Sequence, residues 1–428
     1  MATLPKICSG LVLGTLMVGP ALADDITSQF GKIQLSPGWA SYASGVSKTA
    51  EGDLEQAERL FRKSLEQNPK LAAPLLGLGE VALRRGNRQL ATMYFSKALV
   101  LEPHNAGVLT AMGRLKAIGN DAPTAEKYFR DAITADRLAT AAYLDLGDVY
   151  TMIYHKPEEG LKWYRKVLAL EPNNAIGHYR AGLVLGDLKQ YDAAVAELQA
   201  AAVLARENPL PYHALGRLYL VRRDFDSAAN AFAKAQQVQP AYVGSYLGRG
   251  DALAAKGDGQ AALAEYRRAT QVAPRYAPAF VRLGMYYQSA GKAQEARSAY
   301  LKAIELDGKQ AGAYNNLASL AIETGKEPGM AVSWAETAVR LQPGNFLFRD
   351  TLAWAYHAAG KRDRALPFYQ EALDKRVANG EVLYHAGVVF QEGGATAKAR
   401  LALERAVSLR QNFPGVEDAR RRLKMLKP

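Results

Sequence analysis

Histidines, a cysteine and the carboxylates are the side chains here that could do chemistry, and their spacing works against it. The six histidines are His104, His155, His178, His213, His357 and His385, and no two of them stand four residues apart on one helix. The one cysteine, Cys8, lies in an apolar N-terminal stretch, which removes the thiolate-based zinc sites. His357 and His385 alone are too few ligands for a metal, and none is expected. No glycine-rich phosphate loop, His-Glu-x-x-His pair or nucleophile elbow occurs. Most Asp and Glu stand three or four residues from Lys or Arg, the spacing of solvated pairs on a helix surface. The chain therefore reads as a non-enzyme, with no catalytic residue and no cofactor.

The elements that must position these side chains repeat. Gly45, Gly79, Gly113 and Gly147 are 34 residues apart; Gly182, Gly216, Gly250 and Gly284 continue after one 35-residue step, and Ala318, Ala353 and Gly387 complete the row. A second row of small residues runs from Ala57, Ala91 and Ala125 to Ala365 and Ala399. A third, mostly large, holds Phe61, Phe95, Phe129, Tyr164, Leu198, Phe232, Tyr266, Tyr300, Tyr369 and Leu403, broken by Ala335 in the ninth repeat. Glycine inside a helix costs roughly 0.5–1 kcal/mol against alanine, so a recurring glycine implies a close approach by a second helix. The second-row alanines are expected to meet that glycine, and the large row to fill the space between repeats. Gly52, Gly86, Gly257, Gly291, Gly325, Gly360 and Gly394 mark left-handed turns between paired helices, and Pro69, Pro103, Pro172, Pro240, Pro274 and Pro343 close the second helices. Two repeats carry an extra residue, expected in the turns around His155-Lys156-Pro157 and Lys326-Glu327-Pro328-Gly329. Frequent alanine and the lack of alternating β-branched runs agree with helix throughout.

These phases resemble the tetratricopeptide repeat (TPR), a 34-residue helix-turn-helix unit, over residues 38–413 and about eleven repeats. The resemblance implies an all-α, right-handed superhelical solenoid whose first helices line a concave, ligand-holding groove. Placed on the family's groove positions, the N-terminal repeats offer Trp39, Tyr42, Leu76, Glu80 and Arg114. The middle offers Tyr179, Arg180, His213, Arg217 and Arg282. The C-terminal repeats offer Asn315, Asn316, Asp350, Trp354, His357, Tyr384 and His385, and this last group is the preferred binding site. Trp and Tyr anchor recognition surfaces because they bury area while keeping a polar handle, and they stack on sugar rings. The Lys/Asn/Arg carboxylate clamp of chaperone-binding members is not reproduced. The asparagine ladder of glycosyltransferase-linked members is met only by Asn316, beside Ala43, Gly77, Ala111, Asp145, Arg180, Ala214, Gly248, Arg282, Thr351 and His385. A narrower likeness covers Asn315-Asn316-Leu317-Ala318, Leu341-Gln342-Pro343-Gly344-Asn345 and Asp350-Thr351-Leu352-Ala353-Trp354. It is similar to exported bacterial TPR proteins of exopolysaccharide secretion and envelope assembly.

Lys6, the apolar run Ile7–Val18, the breaker Gly19-Pro20 and the small residues of Ala21-Leu22-Ala23 read as a secretory signal at 1–23, cut after Ala23. A polar leader at 24–37 and a capping helix at 414–428 would flank the array, with no membrane span left after cleavage. The periplasm is the expected compartment. The formal charge of +12 allows nucleic acid, lipid or an acidic polymer as partner, but export argues against nucleic acid. The reading is an exported scaffold that holds envelope proteins in its groove, in envelope or exopolysaccharide assembly, with direct binding of an anionic polysaccharide as the alternative.

Overall fold

The structure, a computed structural model, describes residues 37–426. The expected signal and all but the last residue of the leader lie outside the described residues. Among the described residues every regular element is helical, and two compact units divide them, one running to Gln239 and the other from Pro240. The first unit stacks six antiparallel pairs: α1 (Trp39–Glu51) with α2 (Leu54–Gln67), α3 (Ala72–Arg84) with α4 (Arg88–Leu101), α5 (Ala106–Ile118) with α6 (Ala122–Ala135), α7 (Thr140–Asp148) with α8 (Pro157–Leu170), α9 (Ala175–Asp187) with α10 (Tyr191–Leu204), and α11 (Pro209–Val221) with α12 (Phe225–Val238). The second stacks five: α13 (Val243–Lys256) with α14 (Gly259–Val272), α15 (Ala277–Ser289) with α16 (Ala293–Leu306), α17 (Ala311–Thr324) with α18 (Pro328–Leu341), α19 (Phe346–Ala358) with α20 (Arg362–Asp374), and α21 (Gly380–Glu392) with α22 (Thr396–Ser408). A last helix, α23 (Val416–Met425), lies on α21 and α22. Within each unit a second helix packs on the first helix of the next pair, and successive first helices touch.

The glycine row has a different partner from the one expected. A Cβ on Gly216 would fall 2.7 Å from the Phe232 ring, and the same clash recurs for Gly45 with Phe61, Gly79 with Phe95, Gly147 with Tyr164 and Gly284 with Tyr300. The glycine thus makes room for the large residue of its own second helix rather than for the alanine. The alanines Ala57, Ala91, Ala125 and Ala228 are fully buried beside it. The ring also reaches onward, since a Cβ on Gly77 of the second pair would meet Phe61 of the first.

Helix ends follow local chemistry. Asp53, Asn87, Asp121, Asp224 and Asp258 cap second helices, and Asn105, Asn174, Asn208, Asn345 and Asn379 cap first helices, each accepting a hydrogen bond from a backbone N–H of the first turn. All seven turn glycines have positive φ, and Asn120, Lys189 and Arg223 adopt the same conformation where glycine is missing. Arg223, exposed at φ 62, is a strained substitute. Arg223→Gly is expected to raise stability by about 0.5–1 kcal/mol, because the relieved left-handed strain of ~1–2 kcal/mol exceeds the added freedom of the unfolded chain. A higher urea midpoint at unchanged slope is the readout.

The two extra residues are handled differently. In pair nine the addition sits in the turn, as expected: Gly325 is left-handed, and Glu327, also left-handed, precedes Pro328 at the helix start. In pair four it is absorbed inside the first helix, where Val149–Ile153 forms a π-helical turn and Tyr154 N–H reaches the Val149 carbonyl. The expectation that His155-Lys156-Pro157 holds the insertion is therefore corrected. The turn there keeps the length of its neighbours, with His155 as its left-handed residue. The widened helical turn accommodates Thr151, whose Oγ1 would meet any Cβ on Gly160.

Candidate functional site

The face made by the first helices is where the expected site residues stand, and a single register governs it. Counting from the glycine-row position of each first helix, the residue one after it meets the residue two before it in the next pair. Arg114 pairs with Asp145 across pairs three and four, and Asp148 pairs with Arg180 at 3.0 Å across pairs four and five. Asp251 pairs with Arg282 at 3.3 Å across pairs seven and eight. Trp354 stacks on His385 across pairs ten and eleven, with ring centroids 4.2 Å apart and 13° between planes. The position two before the glycine is where the asparagine ladder was sought, and in these four junctions its occupant is tied to the preceding pair.

In the first unit, Arg180 is 6% exposed and its Nη1 has no partner, while the other arm of the guanidinium holds Asp148. Asp148 also accepts from the Tyr164 hydroxyl at 2.7 Å. Burial pushes the Asp148 carboxyl up to about 6, although Arg180 pulls it down. Tyr179 sits next to Arg180, half-buried. His213 packs edge-on to Phe232 at 5.2 Å, and burial, helped by Arg217, lowers its imidazole to about 4. These residues serve the stacking of pairs and present little open surface. Arg282, in the second unit, is more exposed; its partner Asp251 accepts from the Tyr266 hydroxyl at 2.8 Å, and burial raises the Asp251 carboxyl.

The second unit gathers most of the preferred group. His385 Nδ1 lies 3.0 Å from Asp350 Oδ2, and both side chains are buried. His357 also stacks on Trp354, at 4.8 Å and 24°. Two imidazoles thus stack on the half-buried indole and take up surface that a sugar ring would need. His357 Nε2 lies 3.6 Å from Glu392, which Arg362 also reaches at 3.3 Å, and its Nδ1 is buried without a partner. Tyr384, beside His385, donates its hydroxyl to Asp418 of α23 at 2.9 Å, so it ties down the last helix. Asn316 lies beside Tyr300 on the preceding pair, and Asn315 has a buried Oδ1 with no partner. Sequence reasoning missed Glu392 and Arg362; each completes the surroundings of His357 only once pairs ten and eleven stack. Among the described residues no group of three or more His, Cys, Asp or Glu is placed to hold a metal ion. No helix there is long and apolar enough to cross a membrane.

Repeated helix pairs, most with a ring seated over a small residue, and a continuous first-helix face within each unit define a helical-repeat scaffold. A tetratricopeptide repeat profile matches residues 42–106, 213–278 and 351–417, and a second tetratricopeptide repeat profile matches 277–310, together more than half of the chain. The chain belongs to the tetratricopeptide-repeat family. It is 33% identical over 117 residues to cellulose synthase operon protein C of Pseudomonas fluorescens, a match covering 27% of this chain and 8% of that protein. It is 26% identical over 190 residues to the human cell division cycle protein 16 homolog, covering 42% of this chain and 30% of that protein. The aligned part is thus under a third of either relative's length. Among solved structures, the Cut9-Hcn1 hetero-tetramer of the APC/C aligns over 95% of this chain and 92% of that one, with TM-score 0.50 and 13% identity, a likeness of fold alone.

Proposed function

We propose that this chain is an exported scaffold that holds a protein partner on the first-helix face of pairs nine to eleven, within an envelope or exopolysaccharide assembly. The observation that supports it most is the convergence of Asp350, Trp354, His357 and His385 at one junction, with the unpartnered Asn315 Oδ1 on the first helix of the preceding pair. Unsatisfied buried polar atoms are costly, and a partner whose docking turns the Asn315 and His357 side chains toward its own polar groups would relieve that cost. The compartment rests on Lys6, Ile7–Val18 and Ala21-Leu22-Ala23, and the likeness to a protein named for a cellulose synthase operon supports the assembly class. The anionic-polysaccharide alternative draws less support, because Arg180 and Arg282 already face Asp148 and Asp251.

A photo-cross-linking residue placed at half-exposed Thr351, on the first-helix face, is compared in intact cells with one at exposed Glu404 on α22. The expected outcome is a discrete protein adduct from position 351 and none of that size from 404. Equal adducts from both positions, or none from 351, would remove the groove assignment.

A further inference from the structure

The junction between pairs ten and eleven departs from the other tied junctions in a way that carries a consequence. Where Asp148 and Asp251 stand after the glycine position, α19 has Trp354, and its carboxylate, Asp350, stands one helical turn earlier. Where Arg180 and Arg282 stand, α21 has His385. Arginine stays charged at all working pH values, whereas imidazole changes charge between about pH 5 and 8. The stack holds a second imidazole as well, His357.

The two imidazoles have different neighbours. His385 faces Asp350 at 3.0 Å, with Glu381 one turn before it on α21. His357 faces Arg362 of α20, Arg422 of α23 and His385 itself, all cationic or able to become so. Its one carboxylate, Glu392, stands at 3.6 Å and is shared with Arg362. The remaining ionisable groups turned toward this junction are Tyr369 of α20, facing Asp350, and Glu323 of α17, facing Glu381; Tyr384 is engaged by Asp418. Glu336 of α18 meets Tyr356 and Arg364 instead. A charge on His357, partly desolvated and set among arginines, is what this pocket resists.

We propose that the His357–Trp354–His385 stack is an acid-released latch: it joins the first helices of pairs ten and eleven while the His357 imidazole is neutral, and it opens when His357 takes up a proton. Burial holds the His357 imidazole below its ordinary range, with Arg362, His385 and Arg422 acting in the same direction and Glu392 against it. A group whose folded-state pKa is depressed binds fewer protons folded than open, so the latch is fully held above the ordinary histidine pKa of about 6.5 and is lost as pH falls through the depressed value. The latch would regulate the same face to which the partner is assigned above and rests on that reading only for its purpose. Its titration is read on the chain alone, so either idea can fail without the other.

The test uses the full chain without a partner, and follows Trp354 emission as the difference between wild type and Trp354→Phe, from about pH 8 to pH 5. The wild type is expected to lose Trp354 intensity and shift to the red as pH falls, with far-UV circular dichroism unchanged. His357→Gln, which cannot be charged, is expected to keep its pH 8 spectrum throughout. His357→Arg is expected to show the wild type's acid spectrum already at pH 8. A wild-type Trp354 signal that does not change over this range overturns the latch, as does a His357→Gln chain that titrates like wild type. Should His357→Arg fail to fold, the comparison of wild type with His357→Gln decides; should His357→Gln fail to fold, His357→Asn takes its place in that comparison.

Discussion

Asp148→Ala is expected to cost about 3–5 kcal/mol at neutral pH, the range seen when one partner of a buried ion pair is removed. The carboxylate does two jobs at the end of α7, just before the π-helical turn of pair four: it balances the Arg180 guanidinium at 3.0 Å and accepts the Tyr164 hydroxyl at 2.7 Å. Without it, a buried cation that already has one unpartnered nitrogen loses its nearest counter-charge. Replacing both charges together, Asp148→Leu with Arg180→Met, is expected to recover most of the loss, because the burden lies in stranding one charge rather than in lacking the pair. The pH dependence has a definite sign. Burial holds the folded carboxyl at about 6, above its unfolded value, so between about pH 4 and pH 6 the folded chain keeps a proton that the unfolded chain has released. This group's contribution is therefore largest below about pH 4, declines as pH rises to about 6, and is flat above. Urea denaturation from pH 4.5 to 7.5 should show that decline in the difference between wild type and Asp148→Asn, which cancels the opposite contribution of buried imidazoles such as His213. Hydrogen exchange of α7, α8 and α9 should localise the loss, since a stacked array need not unfold in one step. An Asp148→Ala chain within about 1 kcal/mol of wild type would mean that water, not Asp148, stabilises Arg180.

What the residues alone disclosed, and what they withheld, divides along the range of the interactions. Turn glycines and closing prolines act within a few residues, so Gly86 and Pro103 could be placed from their neighbours. The 34-residue rows were legible because each pair repeats one packing solution. The π-helical turn was not: an extra residue between Gly147 and Pro157 fits a longer turn or a widened helix equally well, and only Thr151, pressed against Gly160, selects the second. The contents of the first-helix face were half legible. Asp350, Trp354, His357 and His385 were grouped by position in the repeat, and they do meet. Tyr384, by contrast, turns to Asp418, and Arg180 and Arg282 are engaged by carboxylates of the preceding pair. Position gives a side chain's neighbourhood; which neighbour it chooses depends on the register between pairs, which no single repeat encodes.

The same register argument makes the ring-and-glycine contact the other place where a substitution should be costly. Phe232 is fully buried against Gly216, and Phe232→Ala is expected to cost about 3–5 kcal/mol, since glycine leaves no side chain to close the cavity. Gly216→Ala alone puts a Cβ 2.7 Å from that ring; overpacking of about 1–3 kcal/mol exceeds the 0.5–1 kcal/mol that alanine contributes to an interior helical position. Pair nine shows how both changes can coexist. There Ala318 replaces the glycine and Ala335 replaces the ring, both fully buried, and Trp334, the residue before Ala335, is buried as well. Gly216→Ala combined with Phe232→Ala should therefore cost less than the sum of the single changes, by at least about 1 kcal/mol of coupling, because the added methyl occupies space that the ring has vacated. Chemical denaturation of the four chains of this cycle measures the coupling. Strict additivity would show that the two side chains do not compete for one space, and the account of why glycine recurs through the array would fail with it.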